Sequence, residues 1–144
     1  MRLGHIHLKV NNLKAAEEFY CKILGLKLQE RVHDVFSFLT FGDAHHDLAL
    51  QQVNGSAPRH RDSPENSSGL YHTAFEVHST EELSSVIEKL KANSFEYTLV
   101  DHRISWAVYT HDPSGNGVEI YLDRRNAPRG GRVWGGFSKR LSEI

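Results

Sequence analysis

The chain reads as an α+β protein made of two tandem β-α-β-β-β modules. Their strands form a curved mixed sheet around a cleft, with the helices outside. Three observations predict this. An alternating apolar pattern followed by a helix-period stripe occurs twice, at 3–24 and at 70–90. Each copy is followed by three further strand patterns. His5 also precedes Val10 by the same interval as His72 precedes Val77. Two copies of a period this long are too few for a solenoid. The 144 residues suit one domain with a buried core. It divides into module one at about 3–53, a linker at 54–68, module two at about 69–124 and a tail at 125–144.

Residues 3–10 alternate and form the first strand. Asn11 or Asn12 caps a helix starting at Leu13, its side-chain oxygen accepting a free first-turn N–H. Leu13, Ala16, Phe19, Tyr20, Ile23 and Leu24 give that helix its apolar stripe, and Gly25 ends it. Strands follow at 26–32, 35–41 and 46–53. The stretch 54–68 is rich in Pro, Ser, Asn and charge, and is long enough to serve as a cover for a site.

The pattern then restarts with a strand at 70–77. Ser79 and Glu82 make a capping box before a stripe of Leu83, Val86, Ile87 and Leu90. Strands follow at 97–102, 104–111 and 117–123. Pro113 fixes φ, and Gly115 and Asn116 tolerate positive φ, so 112–117 is a hairpin turn. The hairpin sets Tyr109 and Glu119 on paired strands facing one cavity.

Alternation sorts the side chains. Ile6, Leu8 and Val10 oppose His5, His7 and Lys9. Tyr71, Phe75 and Val77 oppose His72, Ala74 and Glu76. Val118, Ile120 and Leu122 oppose Glu119, Tyr121 and Asp123. The apolar sets belong under the helices, and the others line the cleft.

A net charge of −1 gives no reason to expect nucleic acid or an anionic membrane as partner. The single cysteine, Cys21, rules out an internal disulfide framework and suits a reducing compartment. No apolar run reaches membrane-span length, and the opening residues read as a strand without a signal-peptide core. The expectation is a soluble cytoplasmic protein. Ten histidines are the unusual number, since His is the commonest metal ligand. His33, His60 and His78 read as surface residues.

Two histidines and a carboxylate on three strands, His5, His72 and Glu119, suit a facial triad that leaves coordination positions open. Imidazole and carboxylate suit Fe(II), Mn(II), Ni(II) or Zn(II). A structural zinc site would want four ligands, usually with cysteines, so an open, catalytic metal site in the cleft is favoured. Spacing alone leaves the three equally readable as unrelated polar residues. It also leaves His7, on the same face as His5, as an alternative first ligand.

The run G-H-x-x-L-x-V at 4–10, E-F-Y at 18–20 and I-L-G-L at 23–26 resembles the opening of the vicinal oxygen chelate superfamily. That superfamily includes glyoxalase I, fosfomycin-resistance thiol transferases, bleomycin-binding proteins and extradiol ring-cleavage dioxygenases. The resemblance spans roughly 3–124 and implies paired modules around a metal held by His5, His72 and Glu119. Its register favours His5 over His7. The second module further resembles the extradiol signature. A histidine, His102, precedes the aliphatic-Tyr pair Val108-Tyr109, and Asp112-Pro113-Ser114-Gly115 and Glu119 follow. His45-His46-Asp47-Leu48-Ala49 resembles the segment that supplies the proton-transfer histidine. The role falls on His46, with His45 of opposite strand parity and outside the cavity.

The resemblance implies a one-domain, non-haem Fe(II) extradiol dioxygenase, with Mn(II) as the other metal this ligand set accepts. It would cleave a small aromatic diol of catechol type with O2. His46 would act as base and then acid. His102 and Tyr109 would hydrogen-bond a catecholate oxygen. Many such enzymes carry two copies of the domain and this chain has room for one. A homodimer or higher homo-oligomer, the linker or the tail must then supply any missing wall; the tail is equally compatible with folding over the site, packing on a partner or staying mobile.

Two alternatives remain. One is a Ni(II)- or Zn(II)-dependent isomerase or thiol transferase of glyoxalase I type, which needs a further acidic ligand in the fourth strand of module one. Only Asp47 at the start of HDLALQQV offers one. The other is a non-enzymatic small-molecule-binding member, which would not need a complete triad.

Overall fold

The computed structural model describes residues 1–55 and 68–144. The expected cover at 54–68 therefore falls almost wholly outside the described residues, as does His60. The chain divides into two compact units. One comprises 1–71 with 112–116, the other 72–111 with 117–144.

The first unit contains β1 (Ile6–Val10), α1 (Leu13–Leu24), β2 (Lys27–Val32), β3 (Phe36–Thr40) and β4 (Leu48–Gln52). Asn12 caps α1, its side chain accepting from the Ala15 N–H at 3.0 Å. Gly25 ends the helix in the left-handed region at φ 81°, where a Cβ carries a steric penalty. The strand order is β1-β4-β3-β2, with β1 and β4 parallel and the other pairs antiparallel. Leu8 and Val10 are buried with Ala16, Phe19 and Ile23 of α1. His7 and Lys9 are exposed, so the predicted alternation holds here.

The second unit contains β5 (Thr73–Val77), α2 (Thr80–Ala92), β6 (Thr98–Asp101), β7 (Ser105–His111), β8 (Gly117–Asp123) and β9 (Lys139–Leu141). Ser79 accepts from the Glu82 N–H at 3.1 Å. Glu82 reaches back to the N–H of His78 at 2.7 Å, one residue before the cap itself. The order is β5-β8-β7-β6-β9. Apart from β9 it repeats the first sheet, with the first and fourth strands of each module side by side and parallel. Val118 and Ile120 of β8 are buried, as are Leu83 and Leu90 of α2.

Three details depart from the sequence pattern. β1 and β5 begin at Ile6 and Thr73, so His5 and His72 each stand one residue before a strand. β4 begins at Leu48, leaving His45 and His46 in the preceding loop, where strand parity does not apply. Tyr71 is exposed, and Thr73 is buried in its place, in step with the half-buried Phe75 and Val77.

Candidate metal-binding and catalytic site

In the second unit the β7–β8 ladder sets Tyr109 directly opposite Glu119, and the β5–β8 ladder sets Ala74 beside Glu119. His72 lies two residues before Ala74 and so shares its side of the chain. The outcome is a tight group. His72 Nε2 is 2.7 Å from Glu119 Oε2. The Tyr109 hydroxyl donates to Glu119 Oε1 at 3.0 Å. His102 Nε2 is 2.9 Å from the same hydroxyl. His72 and Glu119 side chains keep only 27% and 12% of their surface, so this contact is largely withdrawn from solvent. Both carboxylate oxygens are engaged, each by a group that follows from the sheet register.

A cavity of about 340 Å³ opens beside this group, lined by Ile104, Ser105, Glu119, Tyr121, Asp123 and Arg125. Asp123 and Arg125 close one side as an ion pair at 2.6 Å. Burial, and next the Glu76 carboxylate beside it, push the Tyr121 phenol above its ordinary value. Tyr121 therefore stays a neutral hydrogen-bonding wall at physiological pH.

In the first unit His5 and His46 face each other with ring centroids 4.4 Å apart. Phe38 flanks His46 at 5.0 Å. Burial first, then the neighbouring His5 and His45, hold the His46 imidazole below its ordinary value, against the opposing effect of Asp47. His45 turns its Nε2 towards Glu30 at 3.4 Å and is largely exposed. His7 meets Phe36 edge-on at 6.1 Å. His33 and His78 are exposed.

Each unit thus gathers its own share of the predicted residues: His5 with His46, and His72 with Glu119, Tyr109 and His102. Within the described residues no three His, Cys, Asp or Glu side chains form a ready metal-holding cluster. The donor chemistry of the second group nevertheless fits a divalent ion. It brings an imidazole nitrogen and a carboxylate oxygen to one place, 2.7 Å apart, and imidazole with carboxylate is a set that transition metals accept.

The sequence left the tail's part open among covering the site, packing on a partner and staying mobile. The carbonyl oxygen of Phe137 and the hydroxyl of Ser138 lie 3.3 Å and 3.0 Å from His102 Nδ1. The only signal in the sequence was the Trp and Phe among the glycines and arginines of 125–144. The carboxylate of Asp112 was also missed. It is buried in the turn and accepts from the N–H groups of Ser114 and Asn116, from the Asn116 amide and from the Tyr20 hydroxyl. No helix of the described residues is long and apolar enough to cross a membrane.

Residues 2–120 match the family model of the Glyoxalase/Bleomycin resistance protein/Dioxygenase superfamily. The chain is 32% identical over 123 residues to a catechol-2,3-dioxygenase of Bacillus subtilis (strain 168), covering 85% of this chain and 41% of that protein. It is 27% identical over 129 residues to biphenyl-2,3-diol 1,2-dioxygenase 2 of Rhodococcus globerulus, covering 88% of this chain and 65% of that protein. The chain therefore spans less than two thirds of the length of these two relatives. Among solved structures, a glyoxylase/bleomycin resistance protein/dioxygenase domain from Frankia sp. EAN1pec superposes with a TM-score of 0.70 at 23% identity, covering 86% of this chain and 98% of that one. A lactoylglutathione lyase from Agrobacterium tumefaciens superposes with a TM-score of 0.65 at 22% identity, covering 88% and 97%. At these identities the superpositions speak to the fold.

Proposed function

The chain belongs to the glyoxalase/bleomycin resistance protein/dioxygenase superfamily, and from that premise we propose that it is a non-haem Fe(II) extradiol dioxygenase acting on a catechol-type diol. The observation that carries this reading is the hydrogen-bonded series His102–Tyr109–Glu119–His72. It joins a carboxylate–imidazole pair suited to a metal to a phenol and a second imidazole suited to a diol oxygen. The relatives named for catechol and biphenyl-2,3-diol support the same class.

The ligand set we propose is His5, His72 and Glu119. His5 is preferred to His7 because its ring faces His46, whereas His7 lies against Phe36. Fe(II) held by these residues would supply Lewis acidity to the diol and a path for its electrons to O2. The net reaction breaks the ring C–C bond next to the diol. Both oxygen atoms of O2 enter the product as an aldehyde or ketone and a carboxylate.

The protein's own groups handle the protons. His46, kept neutral by its surroundings, takes a diol proton and returns it later. Tyr109 and His102 hydrogen-bond a diol oxygen and stabilise its developing charge. The cavity beside Glu119 has room for a single substituted ring, with the Asp123–Arg125 pair at its edge.

One observation weighs against the glyoxalase I reading. The β1–β4 ladder pairs His7 with Ala49 just as the β5–β8 ladder pairs Ala74 with Glu119. The first-module counterpart of Glu119 is therefore Ala49, which is buried and offers no oxygen ligand.

Metal content tests the ligand set. After anaerobic Fe(II) loading and desalting, His5→Ala, His72→Ala and Glu119→Ala should each lose most of the bound iron, and His7→Ala should retain it. Full iron in His72→Ala and Glu119→Ala would remove the second-unit pair from the metal site. Loss in His7→Ala with retention in His5→Ala would reassign the first ligand.

A further inference from the structure

We propose that the Asp123–Arg125 ion pair sets substrate choice in the cavity beside Glu119, directing it to catechols whose ring substituent is uncharged and against those that carry a carboxylate. This rests on the reading of that cavity as the diol site.

The placement follows from β8. Glu119, Tyr121 and Asp123 alternate onto one face of that strand, and Ser105 of β7 stands opposite Asp123. All four line the cavity, together with Ile104 and Arg125. At about 3.3 Å per residue, Asp123 lies about 13 Å along the strand from Glu119. A diol held at the Glu119 end has the Asp123 end left for its ring substituent.

The charges at that end cancel. Arg125 Nε donates to both Asp123 carboxylate oxygens, at 3.0 and 2.9 Å, and Nη2 donates to Oδ2 at 2.6 Å. The Arg125 backbone N–H also donates to Oδ1, at 2.9 Å. The carboxylate is thus tied to both the main chain and the side chain of the arginine, and the guanidinium's charge is taken up within the pair. The neighbouring cation does not replace it. The Arg124 guanidinium lies over the Trp106 ring at 3.8 Å and donates to the Pro128 carbonyl at 3.2 Å, on the other face of the strand from Asp123.

Ser105 and Tyr121 add hydroxyls without charge, and the Tyr121 hydroxyl donates to Glu76 at 3.3 Å. A ring carboxylate entering this end would shed water, meet the Asp123 carboxylate and find the counter-charge already engaged. An uncharged substituent incurs none of these costs.

Matched ligands test this: 3,4-dihydroxyphenylacetate against 3,4-dihydroxyphenylacetamide, and the 2,3-dihydroxy pair. Each pair has one shape and differs in charge. Binding is measured by anaerobic calorimetry on the Fe(II)-loaded protein, and kcat/KM is measured under O2. The wild type should bind the amide more tightly than the carboxylate by about tenfold in at least one pair, the scale of one charge-assisted hydrogen bond. Asp123→Asn keeps an oxygen for the Arg125 backbone N–H and frees the guanidinium. It should shift the ratio about tenfold towards the carboxylate by the same reasoning. Arg125→Gln leaves the Asp123 charge uncompensated and should shift the ratio the other way. Loss of fold alone would not move the two variants in opposite directions.

A wild type that prefers the carboxylate in both pairs, an Asp123→Asn ratio equal to that of wild type, or no binding of any of the four ligands would overturn the proposal. Ring cleavage of carboxylate and amide with equal kcat/KM would overturn it while leaving the dioxygenase reading in place. Charge-selective binding that switches in Asp123→Asn, with no ring cleavage of either ligand, would support the proposal while sinking the dioxygenase reading.

Discussion

His46 and His45 adjoin in sequence and differ sharply in surroundings. His46 lies between His5 and Phe38, partly withdrawn from water, and its imidazole is held below the ordinary value. His45 is solvent-facing beside Glu30. A proton-transfer group must be neutral to begin its work, so the environment of His46 suits a base. Removing a positioned acid–base group costs ~10²–10⁴ in rate. His46→Gln should therefore lower kcat by that order with iron content retained, and His45→Gln, whose Nδ1 only neighbours His46 Nδ1 at 3.0 Å, should lower it far less. Steady-state rates beside iron analysis check this; unchanged turnover in His46→Gln would remove it from the mechanism.

At the scale of elements, the turn between β7 and β8 is held by the Asp112 carboxylate and, through it, by Tyr20 of α1. Tyr20→Phe removes a buried hydrogen bond to that group and should cost about 1.5–3 kcal/mol in denaturant unfolding. Burial, and then Asp112, raise the Tyr20 phenol well above its ordinary value. A raised folded value gives a contribution that is full below the unfolded value near 10 and is lost as pH climbs above it. The wild type should thus lose more stability than Tyr20→Phe on going from about pH 9 to 11; equal losses would contradict the pairing. Gly25→Ala should cost ~1 kcal/mol from its left-handed backbone alone, since nothing lies within 4 Å of an added Cβ.

These elements also show what the sequence made legible. Alternation and the turn chemistry of 112–117 were enough to face Tyr109 towards Glu119, because a hairpin register is set by local rules. The helix caps at Asn12, Gly25 and Ser79 were legible for the same reason. The hold of the tail on His102 was not. It depends on a ladder between β6 and β9, elements about forty residues apart, and on a backbone carbonyl that leaves no trace in residue type. The separation of His45 from His46 was misjudged as strand parity, since the strand that would have sorted them starts only at Leu48.

At the scale of the molecule, one β-α-β-β-β plan is used twice, and the register position that holds Ala49 in the first module holds Glu119 in the second. That divergence makes the second module the source of the carboxylate and of the phenol–imidazole pair beside it. The chain spans only part of the length of its dioxygenase relatives, so its activity has to be measured on this chain itself. The measurement that bears most directly on the central claim is O2 consumption and product absorbance after anaerobic Fe(II) loading, across a panel of catechols that includes 2,3-dihydroxybiphenyl. The account predicts a yellow ring-opened product from at least one diol, with one O2 consumed per ring opened. No product from any diol, together with methylglyoxal–thiol turnover in the Ni(II)- or Zn(II)-loaded protein, would contradict it.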